Sequence, residues 1–175
     1  MKIGNPVKNI KGFTLIELLV ALTIITILAV AVYAALNPAQ RLADSKNARR
    51  TADISEILTA IHQSIVDNKG TFPTNMPAAG TIKQLGASAN TTTCPATVGA
   101  NVATQCTGVT PGCADLMSDE DQDLIPYLAS MPIDPNGGSV ATSDNTGYTV
   151  TRDVNGIVTV KACHADGTTP ITVSR

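Results

Sequence analysis

From Leu18 to Leu36 the chain runs 19 residues without a charge. As a helix this run is about 28 Å long at ~1.5 Å per residue, close to the thickness of a bilayer's hydrocarbon core. No other segment of the sequence is as apolar, and it decides where everything else goes. Before it, Lys2, Lys8 and Lys11 are the only charged residues among the first 12. That asymmetry predicts an orientation with the N-terminus in the cytoplasm and everything after Leu36 outside it. The 175 residues carry a formal charge of −2, 43% hydrophobic and 15% charged side chains and no Trp. Such a balance excludes a disordered polyampholyte and gives no electrostatic footprint for nucleic acid. The average hides two different parts, an apolar stem and a polar remainder.

An ordinary secretory signal is one reading of the apolar run, with Ala29-Val30-Ala31 as its cleavage site. The run is longer than the core of such a signal, and Glu17 stands at its start. A carboxylate deep in lipid costs roughly 2.5 kcal/mol or more, so an acid at this place is expected to have a function and a partner.

Lys11-Gly12-Phe13-Thr14-Leu15-Ile16-Glu17 resembles the class III signal of type IV pilins and type II secretion pseudopilins: a short basic leader, Gly, Phe, an apolar triplet, Glu and then a hydrophobic helix. The resemblance implies cleavage by a membrane aspartyl peptidase between Gly12 and Phe13, N-methylation of Phe13, and retention of the hydrophobic segment. It also implies homo-oligomerisation into a helical filament, with an assembly platform protein and an ATPase as further partners. Losing the three leader lysines takes the formal side-chain charge from −2 to −5. Glu17 lies one helical turn after the new amine. A charge pair between Glu17 and the Phe13 amine of a neighbour would select one register among apolar helices that otherwise pack at many.

Ala39 to Lys69 reads as a second, amphipathic helix. Ile54, Ile57, Leu58, Ile61 and Ile65 recur on one face, while Arg49, Arg50, Asp53, Glu56 and Lys69 are read as polar faces. His62 is read as an ordinary helix residue. Gly70 and Pro73 supply a stop. Asn37-Pro38 allows two readings. Either Pro38 kinks one long helix, or the first helix ends and a second begins with Asn37 as cap and Pro38 in its first position. The expected organisation is a removable leader over residues 1–12, a membrane and filament-core helix over 13–36, the amphipathic helix over 37–69, and a globular head over 70–175. The fold class is α+β, a long N-terminal helix packed on a small C-terminal antiparallel sheet, as in pilins.

In the head, Tyr148–Arg152 and Ile157–Ala162 read as a β-hairpin turning at Asn155-Gly156. A two-residue loop would put Tyr148 and Val150 on the face opposite Val158, Val160 and Ala162. A three-residue loop pairs Asp153 with Ile157 and gathers all five on one face, and a single buried face requires that register. A type I turn with Gly156 in a bulge follows. Ile171-Thr172-Val173 is expected to add a last short strand. Residues 88–112 read as an exposed Thr-rich loop, with Asn90-Thr91-Thr92 matching a glycosylation acceptor. Leu124 to Gly137 resembles the segment that precedes the final strands in major pseudopilins.

Cys94, Cys106, Cys113 and Cys163 all fall on the part predicted to be outside, where disulfides persist. Four cysteines allow three pairings. The preferred one is Cys94–Cys106 with Cys113–Cys163; zinc at Cys163 and His164 is the rival. Asp119, Asp121 and Asp123 alternate as at the start of a calcium loop, but Leu124 and Ser130 break the pattern. By resemblance to the major pseudopilins, Asp134 and Asp144 are further calcium candidates. No cofactor is otherwise expected. His62 and His164 stand far apart with no nucleophile motif, and there is no Gly-rich phosphate loop, so the chain reads as structural, not enzymatic. The competing class is a monomeric membrane-anchored binding domain outside the cytoplasm, which would need neither Gly12 nor Glu17.

Overall fold

The computed structural model describes residues 12–87, 94, 105–118, 124–136 and 141–175. Residues 1–11 of the leader, Asn90-Thr91-Thr92 and Asp119, Asp121 and Asp123 lie outside the described residues. The chain forms two compact units, 1–41 and 42–175.

The first unit contains helix α1, Leu15–Leu36. Its start is fixed by a capping box. Thr14 is the N-cap, its Oγ1 accepts from the Glu17 N–H at 3.3 Å, and the Glu17 carboxylate accepts from the Thr14 N–H at 2.9 Å. Two otherwise unsatisfied donors are met by this exchange. No residue of α1 is buried, and its leucines, isoleucines and valines are all open. Thr23 and Thr26 return their hydroxyls to the carbonyls of Val20 and Thr23, so neither presents an unpaired polar group along the apolar surface.

α1 ends at Asn37, which adopts a left-handed conformation with φ 40° and ψ 70°. Helix α2, Pro38–Asp67, begins at once, and the Asn37 carbonyl already accepts from Arg41 N–H. The long helical stretch Leu15–Asp67 is thus interrupted at one residue: Asn37 caps the C-terminus of α1, not the start of α2, and Pro38 takes the first position of α2. Asn tolerates the left-handed region, and Pro38 needs no donor in the first position.

The second unit is the rest of α2 and a four-stranded antiparallel sheet in the order β1 (Lys83–Gln84), β2 (Tyr148–Arg152), β3 (Val158–Ala162), β4 (Ile171–Ser174). Ile54, Ile57, Leu58 and Ile61 pack with Tyr148, Val150, Val158, Val160 and Ala162, and Leu85, Leu116, Leu124 and Leu128 close the core. The α+β pilin-like arrangement is thus present. The hairpin register is the expected one: Tyr148 pairs with Ala162, Val150 with Val160, and the Asp153 N–H donates to the Ile157 carbonyl. Gly156 sits at φ 86°, in the bulge position, where a side chain would be strained. β4 forms where Ile171-Thr172-Val173 placed it.

α2 ends at Asp67, just before the expected stop at Gly70. Gly70 N–H donates to the Ile65 carbonyl and Lys69 N–H to the Val66 carbonyl, the paired bonds of a Schellman motif. Lys69, at φ 56°, takes the left-handed position of that motif, and Gly70 follows at φ 92°.

The Thr-rich loop is not simply exposed where it is described. Cys94, Cys106 and Val109 are buried, and bridges from Ile82 to Val109 and from Leu85 to Ala114 lay its end along the outer edge of β1. The disulfides join Cys94 to Cys113 and Cys106 to Cys163, both with Cα atoms 5.5 Å apart. This corrects the expected pairing. The loop returns along β1, which carries Cys113 away from the end of β3 and leaves Cys106 beside Cys163.

Candidate filament-assembly site

The residues singled out are Gly12 and Phe13 for processing and Glu17 for assembly. Gly12 has open space around it, and Phe13 is 82% exposed. Within the subunit Glu17 is satisfied by its own first turn: both the N–H and the hydroxyl of Thr14 donate to Oε2, at 2.9 and 2.8 Å. The acid is thereby held at the N-terminal end of α1, where the helix dipole favours a negative charge.

A second polar centre lies in the head, around two residues, Arg50 and Asp53, that sequence reading placed on polar faces. Arg50 and Asp53 are buried, not exposed. Arg50 donates from Nε and Nη2 to the two oxygens of Asp134 at 2.8 and 3.1 Å, and from Nη1 to Asp166 and Asn47, both at 2.8 Å. Burial opposes the charge on Arg50, but the two carboxylates outweigh it and hold its pKa above the ordinary value. Asn47 also accepts from the Asp166 N–H and donates to the Asp166 carbonyl. Lys46 donates to Asn136 at 2.9 Å. Nearby, the Tyr148 hydroxyl donates to Asp53 at 2.6 Å; burial and that bond push the phenol well above its usual range. These contacts tie α2 to the 134–136 turn and the 164–166 turn. The signal for them was in the stripe: stepping back four residues from Ile54 lands on Arg50, on the buried face.

The metal candidates fare differently. Cys163 is in a disulfide and offers no thiolate, so the zinc pair with His164 does not form. Asp134 gives both oxygens to Arg50 and one of them also to the Asn136 N–H, while Asp144 is exposed. The Asp134 carboxylate is thus engaged within the subunit. Among the described residues no three His, Cys, Asp or Glu side chains gather as a metal would require.

Residues 7–33 match the family model described as the prokaryotic N-terminal methylation motif. The chain carries the class III signal of type IV pilins and pseudopilins. That motif supports a pilin-like or pseudopilin-like structural protein, anchored in the membrane before assembly and handled by a prepilin peptidase. No curated protein and no solved structure matches the chain.

Proposed function

We propose that the chain is a structural subunit of a type IV pilus-like filament. The observation that carries the proposal is the signal Gly12-Phe13…Glu17 seated on a 22-residue apolar helix with no buried residue. A helix of that composition must be covered by lipid or by copies of itself. The subunit first spans the cytoplasmic membrane once, with its N-terminus inside. Prepilin peptidase cuts between Gly12 and Phe13 and methylates the new amine. An ATPase and a platform protein then move it into a filament whose core is α1 and whose surface is the head, outside the cytoplasm. In the core, Glu17 pairs with the Phe13 amine of a neighbour. Both intrasubunit bonds fall on Oε2, which leaves Oε1 for that contact.

Deletion and complementation in the native host test this reading. Electron microscopy should show filaments lost on deletion, restored by the parent gene and absent with Glu17→Ala. Unchanged filaments in the deletion strain, or full restoration by Glu17→Ala, would contradict it. Filaments that remain short and confined to the envelope, with a defect in protein export, would assign the same assembly to a type II secretion pseudopilus.

A further inference from the structure

The two edges of the sheet are treated differently. The β1 edge is covered by residues 109–114, through the bridges at Ile82 and Leu85. β4 is the other edge, and among the described residues no strand lies beyond it. Val158 and Arg175 exchange both backbone bonds, at 2.9 and 3.0 Å. Alternation along an antiparallel pair then turns the N–H and C=O of Ile171 and Val173 toward β3, and those of Thr172 and Ser174 outward. Edges are commonly blunted with Lys, Pro or a bulge. Here the outward positions carry Thr and Ser.

We infer that β4 is a self-complementary edge that pairs antiparallel with β4 of a second copy, Val173 opposite Val173 and Thr172 opposite Ser174. Backbone groups in strand spacing are satisfied by another extended backbone, and this edge is a match for its own mirror register. With Val173 on the two-fold axis, Thr172 and Ser174 of the two copies exchange all four outward donor–acceptor sets. On one face, the hydroxyl pair Thr159–Ser174, 2.9 Å apart within a subunit, continues into Thr172 of the second copy. On the other, Val160 and Val173, already paired across β3 and β4, continue into the same two valines of the second copy. That face also borders an open groove of about 500 Å³ lined by Thr59, His62, Val66, Asp67, Tyr127 and Arg175. His62 Nε2 is buried there without a hydrogen-bond partner among the described residues, and Val66 is 74% exposed. Pairing brings a second such groove alongside. An isologous contact closes on itself and does not propagate a filament, so it belongs to subunits outside the filament lattice. The inference stands on the head alone and is independent of the signal at the N-terminus.

The test is disulfide cross-linking of the full-length chain in detergent, with Thr172→Cys, Val173→Cys and Ser174→Cys made singly. Across the proposed axis the two 173 positions form a non-hydrogen-bonded pair, with Cα atoms about 4.5 Å apart. The like pairs at 172 and 174 are about 8–9 Å apart, from two strand rises and the strand spacing, which is beyond disulfide reach. Val173→Cys should give about tenfold more covalent dimer than either neighbour. Association through α1 would not produce that position dependence. Thr172→Pro removes an outward donor without touching the bonds to β3, and should abolish cross-linking when combined with Val173→Cys. Equal yields at the three positions, no dimer at 173, or a dimer that survives Thr172→Pro would each overturn the inference.

Discussion

Arg50 is the residue on which the head turns. It is fully buried and has two carboxylate partners, one of them, Asp134, buried as well. Removing one member of such a group leaves an uncompensated charge in the interior. Arg50→Ala should therefore destabilise the head by about 3–5 kcal/mol, read as a lower midpoint in denaturant unfolding. Arg50 with Asp134 replaced together by apolar residues should recover much of that loss, because no unpaired charge then remains. Tyr148 gives a pH signature. Its phenol titrates above the ordinary value in the folded head, owing to burial and the bond to Asp53. A raised folded-state pKa means stability is intact below the unfolded value of about 10 and falls as pH rises through it. Unfolding midpoints should decline above about pH 10, and Tyr148→Phe should flatten that decline while costing about 1.5–3 kcal/mol at neutral pH. Asp153 runs the other way. Bonds from Ile157, Asn155 and Gly156 in the turn lower its pKa, so its contribution to the hairpin is lost as the solution is made acid. Residue identities foretold little of this. Arg50 and Asp53 read as surface charges because charge is usually outside; their place on the helical stripe was the better guide.

Among the elements, those whose pattern was strongest formed as read. The hairpin follows from requiring one buried face, since the alternative loop would have turned two of its five apolar residues to water. The stripe from Ile54 to Ile65 is the face of α2 in the core. The disulfides resisted reading because pairing depends on how the 105–114 segment runs along β1, a contact between distant parts of the sequence. α2 ends at Asp67, two residues short of the expected Lys69, because the chain turns left-handed at Lys69 and again at Gly70. Lys69→Gly should accordingly raise stability by about 0.5–1 kcal/mol, measured by thermal unfolding. Gly156→Ala should lower it by about 1 kcal/mol or more, since Gly156 is at φ 86°. Reduction should cost about 2–4 kcal/mol for each bridge, the Cys106–Cys163 loop being the longer.

At the scale of the whole molecule, one chain contains two solutions to the burial of apolar surface. The head makes its own core from α2 and the sheet. α1 makes none, and its side chains wait for a bilayer or for other copies. The acid at its start is held by Thr14. This division was legible from the sequence, because 19 uncharged residues behind a basic leader admit few other fates. Mass spectrometry of the intact protein from its own host, with N-terminal fragment ions, tests the account most directly. The account predicts a chain that begins at N-methylated Phe13 and keeps α1. A chain that begins at or after Val32 would contradict it, since the stem would then be a discarded signal and the head a free exported domain.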